Sequence, residues 1–328
     1  MSNIKFRIFF LEAPDPYHNF ITVSGKSYYP VKSQFFGIST PKYVGDFFRG
    51  ISRLITYLVS NIRYQHRCNF YFSDQIIPIF NFTPEQIENE KNKFKSSNCV
   101  QFMIESLKDL DVQLDGKLNL MYGNYIDVIM HLKKQYGFNA IYCNTDYSPY
   151  AKKRESDIYK WCKSNGVEFH AMHDITLLPP GKAMNKQGKP FMVYTPFYNE
   201  CTKYKIDDLV NPGKFSNFVK LKNDDMQIDF KETERFYQFN DMLACNGGRK
   251  NGLDILRTYN PTTYQKVRDD LSQGKTRTSS LSPYIKFGCI SIREAYHQLN
   301  VPGGIAMIKQ LFWRDYFIML GKLSSTTL

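Results

Sequence analysis

The chain has 328 residues, 42% of them hydrophobic, a globular and not a disordered composition that leaves room for two domains with real cores. Its net charge of +12 (43 basic against 31 acidic residues) suits a polyanion, but no long basic block separates that reading from a plain soluble basic protein. Seven scattered cysteines, none at C-x-x-C spacing, argue against a disulfide scaffold or zinc ribbon and for a reduced intracellular protein.

Residues 1–73 alternate Pro, Gly and aromatics without a clean period. Ile4 to Leu11 reads as a strand. Its apolar run stops at Glu12 and Pro14 without a small-residue cleavage site, so no secretory signal is expected. Ile51, Leu54, Ile55 and Leu58 recur at helical spacing, in a stretch too short to span a bilayer. From Ile76 the pattern sharpens. Ile76 to Phe82 predicts a strand, with Pro78 arguing against a fully paired central place. Met103, Leu107, Leu110 and Leu114 mark one helix face. A strand at Leu118–Tyr122, a helix around Val128–Leu132, a strand at Phe138–Cys143, a helix through Ile158–Cys162 and a strand at Val167–His170 follow. This alternation predicts a parallel sheet with right-handed crossovers. Pro179 to about Asp229 is loop-rich and reads as an interdomain connection. The pattern is helical from Glu232, with Ile292, Ala295, Tyr296 and Leu299 on one face.

Several candidate motifs carry little. Gly25-Lys26-Ser27 ends like a P-loop, but Phe20 stands where the first glycine is needed. His170-x-x-His173 followed by Asp174 has no H-E-x-x-H pattern or Cys partner nearby, so a solvated loop pair is expected and no metal. No G-x-G-x-x-G follows a strand. Tyr147 to Arg154 lies at a strand's carboxyl end, where α/β sheets place ligands, or is simply a turn entering a basic helix. The run Thr278 to Ser282 puts four hydroxyls in five residues ahead of a helix. It is either an N-cap with spare serines or a ring of donors for a diphosphate, with Tyr264, Arg268, Arg277 and Arg314 able to join. Trp313 beside Arg314 is either core packing or a stacking platform for an extruded base.

Leu281 to Ser291 (LSPYIKFGCIS) resembles the flavin-loop signature of the DNA photolyase and cryptochrome family. Leu311-Phe312-Trp313-Arg314-Asp315 resembles its L-x-W-R-E segment. Asp146 to Arg154, Gly188-Lys189-Pro190-Phe191 with Tyr194-Thr195-Pro196-Phe197, and Gly247-Gly248 fall in family order. The resemblance implies an α/β fold: a parallel-sheet, Rossmann-like N-terminal domain, then the first part of an all-helical FAD-binding domain. The implied division is 1–73 atypical, 74–200 α/β domain of the antenna type, 201–231 linker and 232–328 helical. By position, Tyr264, Thr278, Ser279, Leu281, Ser282 and Arg314 would hold FAD. Gln310 and Trp313 would face a lesion in UV-damaged DNA; Gln310 stands where members specific for cyclobutane dimers often carry Glu, and Gln there resembles six-four photolyases and cryptochromes. No catalytic residue and no metal is assigned. An antenna chromophore, folate or deazaflavin, is not specified.

Two departures shape the expectation. The family's first-strand motif, R-x-D-L-R-x-x-D-N, has only the poor echo Asp46 to Gly50. The later helices of the flavin domain lie beyond Leu328, and Trp161 and Trp313 cannot build a three-Trp relay. The resemblance therefore implies a truncated lyase derived from light-driven repair of cyclobutane or six-four dimers. Such a chain is expected to be inactive or weakly active alone, with an incomplete flavin site. Alternatives are one half of a split enzyme completed by a second polypeptide, and a cryptochrome-like non-repair module. The last helical pattern, Ile305 to Leu320, has few polar positions and is expected to bare an apolar patch.

Overall fold

The computed structural model describes residues 6–12, 22–23, 26–27, 75–209, 218–222, 224–270, 272 and 278–324. The helical expectation at Ile51–Leu58 and the echo at Asp46–Gly50 lie outside them. Phe6–Glu12 forms β1, Thr22–Val23 and Lys26–Ser27 form a small antiparallel ribbon (β2, β3), and Gln75–Phe82 forms β4. Asn119–Tyr122 is β5, Ala140–Asn144 β6, Glu168–Met172 β7 and Gln227–Ile228 β8. The main sheet runs β7-β6-β1-β4-β5-β8 and is parallel except for β8. The family motif is missing from residues 1–73, yet a strand from that segment stands at the centre of the sheet. β1 pairs with β4 from Phe6↔Gln75 to Glu12↔Asn81 and with β6 at Arg7↔Ala140.

Buried parallel strands read as continuous apolar runs, and β4 divides its side chains by the two-residue period of a strand. Ile76, Phe80 and Phe82 join one core, Ile77 and Ile79 the other. Pro78 sits inside this doubly flanked strand, against expectation. Pairing with β5 begins only at Ile79, and Asn119 Nδ2 donates to the Pro78 carbonyl at 3.0 Å. The carbonyl at this position is thus satisfied by a side chain.

Pro84–Ile87 is α1, Ser97–Gln113 α2, Tyr125–Tyr136 α3 and Pro149–Ser164 α4. α3 and α4 cover one face through Val128, Ile129, Leu132, Ile158 and Cys162. α2 covers the other through Met103, Leu107 and Leu110, the stripe read from the sequence. That second core continues beyond the sheet into the helical part: Phe102 lies 5.2 Å from Tyr284 and 4.6 Å from Phe287, ring centre to ring centre.

Two elements arise in the loop-rich stretch. Tyr194–Cys201 folds as α5, and β8 returns to the sheet beside β5, with Leu120↔Ile228 and Met121↔Gln227 in register. The connection thus supplies the outer strand of the sheet. Beyond it come Arg249–Thr258 (α6), Tyr264–Val267 (α7), Ser282–Lys286 (α8), Ile292–Leu299 (α9) and Ile305–Ser324 (α10).

The expected bare patch on α10 is largely absent. Met307, Ile308, Leu311, Phe312, Tyr316 and Met319 are each 5% exposed or less, and Ile305 and Phe317 are exposed. α5, α7 and α9 meet its apolar faces. Its burial by preceding elements removes the argument from this helix for a second polypeptide. No helix among the described residues is long and apolar enough to cross a membrane.

Candidate functional site

The start of α6 is built by a partner helix. Gly248, at φ +106°, is its N-cap and offers no side chain. α2 supplies what is missing: Glu105 accepts from Gly247 N at 2.6 Å, Ser106 Oγ from Gly248 N at 2.9 Å, and Asp109 from Arg249 N at 2.8 Å. Two carboxylates thus face a helix N-terminus, where the dipole favours them. A Cβ on Gly247 would lie 2.1 Å from the Phe102 carbonyl oxygen, so only glycine permits this approach. Arg249 then reaches α9, with 2.9 and 3.0 Å bonds to Glu294, and also donates to the Cys289 carbonyl.

This frame shapes a recess of about 740 Å³. Its lining includes Asn246, Asn251 and Asp254 from the α6 side and Thr278, Ser279 and Ser280. Tyr284 holds the α6 side in place by donating to the Asn246 carbonyl at 2.8 Å. Tyr284 approaches α6 over Gly252, where a Cβ would meet its ring at 2.8 Å.

The hydroxyl run does not cap α8: its N-cap is Leu281, with no side-chain bond to the helix. Thr278 and Ser279 are 7% and 2% exposed, yet line the recess. Ser280 adopts φ +51°, unusual for a residue with a side chain, and Leu281 follows in the right-handed region. That left-then-right alternation turns successive N–H groups towards one side, the geometry of an anion-binding nest. The Leu281 N–H is partly engaged by Ser279 Oγ, at 3.4 Å.

The other sequence-predicted residues take different places. Tyr264 is 1% exposed and buried beneath this region, with Arg268 5.9 Å over its ring. Leu281 is wholly buried core. Ser282 opens α8. Arg314 donates to the Ile175 carbonyl, and is not among the described lining of the recess. Gln310 is 5% exposed on α10. Trp313 is half-buried, its ring stacked on Tyr194. The structure thus gathers Thr278 and Ser279 at the recess and sets Gln310, Trp313 and Arg314 on α10 apart from it. Asn246, Asn251 and Asn260 were not singled out by the sequence reading. Asn246 precedes the Gly247-Gly248 pair, its only signal.

A second joint lies where the loop after β7 meets α9 and α10. Arg293 pairs with Asp174, Arg314 bonds Ile175, and Asp315 accepts from Leu177 N at 2.8 Å and Leu178 N at 3.3 Å. Burial pushes the Asp315 carboxyl up to about 7. His173 bonds Tyr147 OH at 2.7 Å and Thr176 Oγ1 at 2.9 Å. Burial, then the Arg293 charge, lowers it to about 4. His170 instead stacks on Tyr142 at 4.6 Å, and no metal-binding cluster occurs among the described residues.

At the carboxyl end of β6 the motif residues build a turn. Asp146 accepts from Tyr147 N and Ser148 N, and Ser148 caps α4 by accepting from Ala151 N.

A family model described as DNA photolyase matches residues 72–213. Curated relatives include a (6-4)DNA photolyase of Arabidopsis thaliana, 25% identical over 75% of this chain and 50% of that protein. A deoxyribodipyrimidine photo-lyase of Streptomyces griseus is 25% identical over 74% and 54%. Cryptochrome-2 of Gallus gallus is 26% identical over 67% and 42%. Over these residues the chain is similar to the DNA photolyase and cryptochrome family. The chain spans about half the length of the curated relatives it matches. The archaeal photolyase of Sulfolobus tokodaii, solved with two FAD molecules, superposes with a TM-score of 0.64 at 25% identity, over 96% of this chain and 59% of that one. A class III photolyase of Agrobacterium tumefaciens shares the fold, with a TM-score of 0.66 at 15% identity, over 98% and 59%.

Proposed function

We propose that this chain binds a flavin nucleotide in the recess between α6 and the Thr278–Ser280 turn and acts on UV-damaged DNA, as photolyases do. The observation that carries the reading is the pair of buried hydroxyls, Thr278 and Ser279, lining the recess beside a left-handed Ser280. The donors fit the group. Hydroxyls, asparagine amides and N–H groups suit phosphate and ribityl oxygens, and the volume lies within the roughly 300–1,000 Å³ usual for small-molecule sites. Flavin, when bound, supplies light-driven one-electron transfer to a pyrimidine lesion.

The chain's own residues bind and orient. Thr278 and Ser279 donate to phosphate, and Tyr264, Leu281 and Ser282 support that turn. Arg314 acts at a distance, through its hold on the loop at Ile175. Gln310 and Trp313 would meet the flipped lesion. The net charge of +12 would track the DNA backbone.

The test is the full chain purified in the dark, then mixed with FAD. Retained visible flavin absorbance, lost in Thr278→Val/Ser279→Ala, supports the reading. A variant that binds flavin as the parent does would remove it. Light-dependent repair of a cyclobutane or six-four substrate then separates a repair enzyme from a cryptochrome-like binding module.

A further inference from the structure

The aromatic ring of Tyr194 lies flat on the indole of Trp313, with centroids 3.6 Å apart and planes within 7°. This is closer than the roughly 4.5–7 Å common between aromatic side chains. It is the thickness at which a nucleobase would stack. Tyr194 begins α5, whose N-cap Val193 makes no side-chain bond. Met192 and Val193 before it are 57% and 62% exposed. The ring is fixed from the other helix: Tyr194 OH donates to the Lys309 carbonyl at 2.7 Å. Around the pair stand Phe317, 5.5 Å from the indole, and Tyr198 with Lys309 over its ring at 5.5 Å. Aromatic faces beside a cation are the composition of a platform for unpaired bases.

We propose that Tyr194 is a gate on Trp313, holding the stacking position of an unpaired base until a nucleic-acid base displaces it. The inference rests on the reading that Trp313 receives a base. It adds that the free protein occupies that position with its own side chain. Displacement exchanges one ring for another on the same indole face, breaks the hydrogen bond to Lys309 and parts Tyr194 from the rings of Tyr198 and Tyr316. Selectivity follows: a base held in a duplex cannot compete with Tyr194, whereas one already extruded can. Tyr194 is thereby a positioning residue for substrate choice.

The chain has two tryptophans, so Trp161→Phe leaves Trp313 as the sole indole reporter. In that background, Tyr194→Phe and Tyr194→Leu are titrated with a short single-stranded oligothymidylate. Tyr194→Phe keeps the ring and loses only the bond to Lys309. It should bind about fivefold tighter, the equivalent of about 1 kcal/mol. Tyr194→Leu should bind tighter still, with Trp313 emission quenched at saturation. Equal affinities in all three proteins, with Trp313 quenched in each, would show that bases reach the indole without passing Tyr194 and would overturn the gate. Trp313→Phe is the separate control. If it leaves affinity unchanged, Trp313 is not the platform, and the reading beneath the gate falls with it.

Discussion

Asp315 accepts the Leu177 amide with one carboxylate oxygen, at 2.8 Å, while its other oxygen is buried with no hydrogen-bond partner among the described residues. A carboxylate in that setting is penalised for its charge. Its folded value of about 7 exceeds the ordinary 3.8, so the native state holds a proton that the unfolded state has lost between those values. Stability from this group is present at low pH and lost as pH rises through about 7. His173 acts in the opposite sense. Its folded value of about 4 lies below the ordinary 6.5, so its contribution is present above 6.5 and lost as pH falls. Between about pH 4 and 6.5 the two slopes, each about 1.4 kcal/mol per pH unit, oppose one another. Asp315→Asn should make stability rise more steeply with pH than in the parent over that window, and His173→Gln should make it fall. Denaturant unfolding at several pH values measures both; parallel profiles for all three proteins would contradict the assignment.

Arg249 and Glu294 are 16% and 11% exposed and joined at two points. Removing one partner of a buried pair leaves a stranded charge and costs about 3–5 kcal/mol. Glu294→Met or Arg249→Met alone should therefore destabilise strongly, while Arg249→Met/Glu294→Met should cost much less than their sum. A double-mutant cycle by urea unfolding reads the difference; additive losses would refute the coupling.

Gly247→Ala forces a methyl to 2.1 Å from the Phe102 carbonyl. α6 must then lift from α2 and lose its three borrowed acceptors. A loss of more than about 3 kcal/mol is expected. Thermal unfolding checks it, with Gly116→Ala as a comparison whose Cβ meets nothing within 4 Å, so that only its left-handed φ of +74° is strained.

Thr278→Val preserves shape and removes one donor. Flavin affinity should fall about tenfold, as for a lost hydrogen bond to a charged group. The unfolding midpoint without flavin should hardly move. Flavin fluorescence titration beside thermal melts separates the two effects. A lower melt with unchanged affinity would make Thr278 a structural residue.

What the sequence made legible follows from local physics. β4 to β7 and α2 to α4 announce themselves because each buries an apolar run or stripe against one sheet. What was hidden depends on partners far along the chain. The Pro78 carbonyl is met by the side chain of Asn119. The N-terminus of α6 looks uncapped until Glu105, Ser106 and Asp109 arrive from α2. The apolar α10 suggested a missing cover because α5 lay unseen within a loop-rich stretch. At the candidate site, Thr278 and Ser279 were readable as hydroxyls bunched before a helix. The stack of Tyr194 on Trp313 was not, since no local pattern joins a connecting segment to a helix 119 residues later.

The short antiparallel pairing of β8 with β5 has a practical corollary for dissecting the molecule. A fragment trimmed after α5 would strip β5 of its outer neighbour and lay bare a row of backbone donors and acceptors, the template on which chains self-associate. The connecting segment is a hem sewn onto the sheet, and cutting there unravels the border instead of separating two independent bodies.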